Sequence, residues 1–328
     1  MSSMYVDNRW RGLHGIARFA GEVIPRMSVP WRPLTRRGHP TDARDVMNLA
    51  RLELTARDAI YTPGYNAGLT RARQFLTIHD LIHLEDKHES SALKRAYYER
   101  VIRPAARRTQ LVFTVSKASK RRIETWLDDG DVEVLNVGNG CSTVFSPDGA
   151  SWDSPRPYFL YVGNFRRHKN FGVILQAMRL SQGFDLVAVT PNRDESHRLA
   201  LHHGVSGRVD SRSNVSDEDL ALLIRGSLAL VLPSTSEGFG LTAVEALRCG
   251  KDVLHWAGCE SVREIVCDPA WSVRHSDSAE AWACAMTAVA EGRLSGSASA
   301  RASGIAREYS WDEVASRVSD ALVRYGAD

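Results

Sequence analysis

Short apolar runs alternate with amphipathic stretches along most of the 328-residue chain, and the alternation predicts a succession of strands and helices. Phe75-Leu-Thr-Ile78, Leu111-Val-Phe-Thr-Val115 and Val132-Glu-Val-Leu-Asn136 are short β-branched or aromatic runs bounded by polar residues, as strands are. A second set follows residue 157, at 158–162, 184–189, 228–232 and 252–256. Helical patterns lie between these runs. Apolar residues at 171, 174, 175 and 178 make an i, i+3, i+4, i+7 stripe over 170–180. Ser216-Asp-Glu-Asp219 offers a capping serine and first-turn acids ahead of Leu220, Leu222, Leu223 and Ile224. Near-continuous apolar strands between helices belong to parallel sheets covered on both faces, so the predicted fold class is α/β.

The two sets of strands are separated by residues 146–157, whose three prolines and one glycine predict an interdomain linker. The expected layout is a Rossmann-like domain over 1–150, a second over 151–310, and a terminal segment, 311–328. Apolar positions 311, 314, 318, 321 and 322 make that segment a helix free to pack back on the first domain. The Ser/Gly/Ala-rich stretch 295–304 reads as a flexible loop. Ligands of such sheets sit beyond the carboxyl ends of the strands, so the residues that follow each strand matter most.

Composition narrows the function classes. Hydrophobic residues make up 43% and charged residues 25%, ordinary globular usage that sets aside disordered and collagen-like chains. The formal net charge of +3 is too even for a general nucleic-acid binder. The average hides an asymmetry, because residues 1–150 hold 23 Lys/Arg and 17 Asp/Glu, leaving 19 and 22 for the rest. Residues 94–122 carry ten basic side chains and one acidic one, Glu99, which reads equally as a solvated helix face and as a dock for an anionic surface. Five cysteines without a CxxC pair read as reduced thiols rather than a disulfide or zinc framework. No run reaches the roughly 20 apolar residues of a membrane span. Residues 1–18 lack the apolar segment of a signal peptide, so the cytoplasm is the expected location.

The segment richest in chemistry is 230–247. A strand runs into a turn containing Gly238 and Gly240, and a helix begins near Gly240. Glycines let backbone N–H groups approach a ligand, and a helix N-terminus favours an anion. Glu237 precedes the turn and Glu245 lies eight residues on. On these residues alone, a tight strand-to-helix turn with Glu245 on a solvated face is an equal reading.

Glu237 to Glu245 resembles the Glu-x7-Glu signature of the retaining GT4 glycosyltransferases, which have the GT-B fold. Pro233 to Ala246 matches the family form Pro-Ser-x-x-Glu-Gly-Phe-Gly-Leu-x-x-x-Glu-Ala at every defined position. The resemblance implies two Rossmann-like domains facing across a cleft, with the last helix returning to the first. It implies that Glu237 sits against the donor sugar and that the backbone at Gly238, Phe239, Gly240 and Leu241 meets sugar and phosphate. Glu245 would hold the ribose hydroxyls, each of which can donate to a carboxylate. Tyr161-Val-Gly-Asn-Phe-Arg-Arg-His-Lys-Asn-Phe171 resembles the family's Val-Gly-x5-Lys-Asn segment. Lys169 would then neutralise the donor diphosphate, where charge develops as the leaving group departs. Arg166 is the candidate for a helping arginine, although Asn164 stands where the commoner family form has one; on these residues alone, Lys169 and Arg166 read more readily as a basic solvated loop.

In the first half, Thr77-Ile-His-Asp-Leu81 resembles the family's strand-end His-Asp-Leu, which implies His79 at the donor sugar and Asp80 shaping the loop. A strand-end histidine alone reads as readily as a structural one. Gly12-Leu-His-Gly-Ile-Ala-Arg18 resembles the early Gly-Ile-x-Arg loop, whose glycine, here Gly15, lies near phosphate and acceptor; alone it is equally a helix start. The implied catalytic set is His79, Glu237 and Lys169, with no metal and no cofactor beyond the nucleotide sugar. Asp129-Gly-Asp131 spells a metal-binding DxD but sits in a turn, and His79 and His83 lack the HExxH context of a zinc helix.

The Val-Gly-Asn and His-Lys-Asn spellings are similar to those of bacterial mannosyltransferases of polysaccharide or lipid-linked glycan assembly. The implied reaction moves a hexose, mannose from GDP-mannose first, to a glycan or lipid-linked hydroxyl. UDP- and dTDP-sugars are the alternative donors. A sugar-nucleotide epimerase or phosphorylase of the same fold, or a non-catalytic glycan-binding subunit, are the other classes. Donor turnover without acceptor separates the former, and intact Lys169, Glu237 and Glu245 argue against the latter. Since such families often work at the inner face of the cytoplasmic membrane, the basic segment 94–122 implies peripheral contact with anionic lipid.

Overall fold

A computed structural model describes residues 3–326 apart from 13, 37, 43, 86–89 and 297. The chain forms two compact units, Met1–Gly140 together with Ser310–Asp328, and Cys141–Tyr309. The first contains strands β1 (Met4–Val6), β2 (Arg32–Pro33), β3 (Ala59–Thr62), β4 (Arg73–Thr77), β5 (Leu111–Thr114) and β6 (Glu133–Asn136), ordered β2-β1-β3-β4-β5-β6. The second contains β7 (Tyr158–Val162), β8 (Asp185–Val189), β9 (Val209–Arg212), β10 (Leu230–Leu232), β11 (Val253–Trp256) and β12 (Ser272–Val273), ordered β12-β11-β10-β7-β8-β9. Every pairing is parallel. Central strands are apolar because they are covered on both faces: all of β3 and β5 and Tyr158 to Tyr161 of β7 are buried. The outer strands β2 and β9 are short, polar and at least partly exposed, which blunts the sheet edges.

Helices of the first unit are α1 (Gly15–Val23), α2 (Asp45–Asn48), α3 (Ile82–Glu85), α4 (Ala92–Tyr97), α5 (Arg103–Thr109) and α6 (Lys117–Leu127). Those of the second are α7 (Phe171–Leu180), α8 (Arg193–His202), α9 (Asp217–Gly226), α10 (Leu241–Arg248), α11 (Glu260–Val266), α12 (Ala279–Ala290) and α13 (Ala298–Glu308). The last, α14 (Trp311–Gly326), belongs again to the first unit. Serine caps start several of them. Ser216 accepts from the Asp219 N–H at α9 and Ser278 from Ala281 at α12, contacts worth about 1 kcal/mol each.

The terminal helix packs on the first unit as its apolar stripe implies. Trp311 meets Phe19 edge-on at 6.1 Å and closes over Gly140, where any Cβ would fall 2.5 Å from the indole. Arg73 donates to the carbonyls of Tyr325 and Gly326 at its far end. The segment 146–157 is bonded into the second unit, with Arg225 donating to the Ser146 and Ala150 carbonyls. One expectation is corrected: residues 298–304 of the stretch read as a flexible loop are helical, since α13 runs from Ala298 and buries Ala298, Ala302 and Ile305. Its small residues allow close approach, a Cβ on Gly250 falling 3.3 Å from the Ser299 backbone.

The basic segment 94–122 is spread over α4, α5 and α6, with a π-helical stretch, Tyr98–Ile102, between the first two. Part of its charge is met by acids inside and outside the window. Arg107 pairs with Asp129 at 2.8 Å and Arg122 with Glu85 at 3.6 Å, while Arg103 pairs with Glu99 and lies over the Trp126 ring. Asp129 is thereby committed to an arginine and to the Asp131 N–H.

His255 on β11 is 1% exposed, its Nδ1 donates to the Val253 carbonyl, and its Nε2 has no partner among the described residues. Burial pushes its pKa below the ordinary 6.5, so the folded state holds it neutral. The unfolded chain then binds the extra proton below pH 6.5, and stability falls with acidification. The melting temperature should drop between pH 7.5 and 5.5, and drop less in His255→Leu. Some slope remains in the variant, since His14, His79 and His203 are shifted the same way. Equal drops in the two proteins would contradict this assignment.

Candidate functional site

The carboxyl ends of β7 and β10, neighbours at the middle of the second sheet, lead into two turns that touch. After β7 the chain passes Gly163, whose close approach to the Tyr161 hydroxyl leaves barely 3.0 Å for a Cβ, and tightens into a 3₁₀ turn, Arg167–Lys169. Asn170 then takes a left-handed conformation at φ 51° and starts α7, its amide anchored to the Ser276 carbonyl at 2.7 Å. After β10, the Thr235 N–H donates to the His168 carbonyl at 2.7 Å and prolongs the sheet pairing into the turns. Gly240, at φ 111°, caps α10.

These turns bring Lys169 and Glu237 together. The Lys169 Nζ donates to both carboxylate oxygens, at 2.7 and 2.9 Å, and the side chains are 20% and 12% exposed. Helix α11 buttresses the Glu237 side. The Ser261 hydroxyl, buried, donates to the Glu237 carbonyl at 2.9 Å, and Val262 lies 3.2 Å from where a Gly240 Cβ would stand. Burial and the nearby Glu237 carboxylate push the Cys259 thiol up to about 12 and the Tyr161 phenol higher still, so neither is ionised beside the pair. Ser261 and Cys259 had no motif to mark them, and Tyr161 stood only at the edge of one.

The other residues of this unit that the resemblance implies for the donor lie on the same two turns and on α10. Gly238, Phe239 and Gly240 form the turn, and Leu241 opens α10, where first-turn N–H groups and the helix dipole favour an anion. Glu245, one turn along, is 3% exposed, which corrects the solvated-face alternative. Arg166 is exposed, and its N–H donates to Asn164 Oδ1 at 3.1 Å.

In the first unit, His79 follows β4 and donates from Nε2 to the Pro63 carbonyl at 2.9 Å, with its ring edge-on to Phe19 at 5.0 Å. Burial holds its pKa below the ordinary 6.5, so the ring is neutral and Nδ1 is an acceptor. Asp80 accepts from the Ile82 N–H and sits 3.8 Å from His83, which stacks on Tyr65. His79 and His83 thus have separate partners, and no group of three metal-ligating side chains exists among the described residues. Gly15 is the first residue of α1, capped by His14, and Gly12 ahead of it has φ 118°.

A charge cluster missed in the sequence braces the same strand ends. Arg9 spans Asp7 and Asp45 at 2.6–2.9 Å, Arg36 reaches Asp45 at 2.8 Å, and all four side chains are at most 10% exposed. Burial raises the Asp7 pKa, but the bonds from Arg9 and Asn66 outweigh it and hold the carboxyl below its ordinary value. Asn66 links Asp7, Trp10 and Thr62, tying the ends of β1 and β3 together.

Two six-stranded parallel α/β sheets, and the likeness to solved glycosyltransferase structures, give the chain the GT-B fold. Residues 146–308 match the family model of the glycosyl transferases group 1, and the chain carries a domain of that family. Among its relatives, O-antigen chain mannosyltransferase B of Escherichia coli is 24% identical over 285 residues, 81% of this chain and 74% of that protein. O-antigen chain mannosyltransferase RfbU of Salmonella typhimurium is 24% identical over 185 residues, 55% of this chain, which spans about half (51%) of that relative's length. The solved sucrose-phosphate synthase of Thermosynechococcus elongatus superposes with a TM-score of 0.74 at 15% identity, covering 100% of both chains, a likeness of fold.

Proposed function

We propose that this chain is a retaining glycosyltransferase that moves a hexose from a nucleotide sugar, GDP-mannose first, to a hydroxyl of a glycan or lipid-linked acceptor. The Lys169–Glu237 pair at the strand ends of a glycosyltransferase group 1 domain carries the reading. The names of the two relatives, both O-antigen chain mannosyltransferases, favour mannose. On binding, the donor diphosphate takes Lys169 from Glu237, with Arg166 and the N–H groups at Gly238 to Leu241 completing its cradle and no metal taking part. Lys169 then lies where charge grows on the leaving phosphate. Glu237, released, and the Nδ1 of neutral His79 accept hydrogen bonds from sugar hydroxyls, and Glu245 takes those of the ribose. Gly15 serves the phosphate and acceptor side. The C1–O bond to phosphate breaks as the acceptor oxygen bonds C1 on the same face, and the acceptor proton passes to the departing phosphate.

Lys169→Ala should lower sugar release or transfer from GDP-mannose by about 10²–10³-fold while the protein still unfolds cooperatively. Wild-type turnover in that variant would overturn the site.

No described helix is long and apolar enough to cross a membrane. The reading places the protein in the cytoplasm, with the first unit against the inner face of the membrane. Exposed Arg95 and Arg100, beside a Leu93 that is 73% exposed, support it. Each basic residue near anionic lipid adds about 1 kcal/mol. Vesicles of phosphatidylcholine with phosphatidylglycerol should bind the protein at low salt and release it at high salt, and absence of low-salt binding would refute the contact.

A further inference from the structure

Helix α10 carries Glu245, begins at the Gly238–Gly240 turn, and is only eight residues long. A helix that short has little stability of its own, so its place is set by the packing of its buried residues Ala243 to Leu247 and by what holds its ends. At its start, Phe239, 9% exposed, meets the Tyr309 ring edge-on, with centroids 5.8 Å apart. At its last residue, Arg248 Nη1 donates to the Cys141 carbonyl at 3.0 Å. Cys141 and Tyr309 are the first and last residues of the second unit, and the Cys141 N–H donates to the Tyr309 carbonyl at 3.0 Å. The contacts therefore close into a ring: turn, Tyr309, Cys141, Arg248, helix.

We infer that Tyr309 and Arg248 are positioning residues for the nucleotide sugar, holding the two ends of α10 so that the turn and Glu245 keep their register. The inference rests on the donor site proposed above. Neither residue touches the ligand. They act by fixing where the turn's N–H groups point, and displacements of a fraction of an ångström there weaken an anion's contacts. The coupling is reciprocal, so nucleotide bound at the turn stabilises the Cys141–Tyr309 closure by the same factor.

Calorimetric titration of GDP, UDP and dTDP, with donor and acceptor KM measured separately, tests this. Tyr309→Leu and Arg248→Ala should each raise the nucleotide Kd and the donor KM about five- to tenfold, with acceptor KM little changed. Tyr309→Phe, which keeps the ring edge, should restore wild-type values. A merely structural role would shift both KM values or neither. Wild-type nucleotide affinity in Tyr309→Leu and Arg248→Ala would overturn the inference, and if Tyr309→Leu does not fold, Arg248→Ala decides alone. A wild-type protein that binds none of the three nucleotides would remove the donor site itself, and the inference with it.

Discussion

The half-buried ion pair between Lys169 and Glu237 joins the turns that follow β7 and β10 at the centre of the second sheet, and the proposed chemistry turns on it. Its partners come from turns 68 residues apart in the chain, joined because β7 and β10 lie side by side. Removing one partner of such a pair leaves an uncompensated charge, whereas an incoming anion can take its place at little cost. The surroundings keep the pair in one geometry: Thr235 on His168, Ser261 on the Glu237 carbonyl, and Gly240 in a conformation a side chain rarely adopts. A resting pair of opposite charges held by rigid backbone is a suitable receptor for a diphosphate, since the protein need not reorganise to present its cation.

The first unit uses charge differently. Asp7, Arg9, Arg36 and Asp45 are enclosed, mutually satisfied and braced by Asn66, so they fix the loops that follow β1, β2 and β3. Nearby His79 is kept neutral by burial and oriented by the Pro63 carbonyl. One unit thus carries a charge pair at its strand ends and the other a neutral hydrogen-bonding ring on a locked frame.

Strands β4 to β8, β10 and β11 and the strand-end turns were legible in the sequence, because burial on both faces demands apolar runs and tight turns demand glycine. The interior strands β1 and β3 were not, being only three and four residues long, and neither were the outer strands β2, β9 and β12, since edge strands such as Val209–Arg212 carry polar residues and lose the period that marks a strand. Helix α13 was hidden by the small residues that let it approach Gly250. Glu237 and Lys169 stood in a recognisable motif, but their bond to each other depends on strand order, which no local pattern encodes. Arg9, Ser261 and Tyr309 make contacts distant in sequence, and two of the ten basic residues of 94–122 pair with Asp129 and Glu85, outside the window in which the charge was counted.

If the ion pair is the resting form of a diphosphate site, Glu237 competes with the ligand for Lys169. Calorimetric titration of GDP into the wild-type protein and Glu237→Gln tests that most directly. Tighter GDP binding to Glu237→Gln is expected, because the amide frees the Lys169 ammonium and removes a carboxylate from beside the phosphates. Weaker binding to Glu237→Gln would mean that the carboxylate supports nucleotide binding, and would contradict the exchange of Glu237 for diphosphate at Lys169.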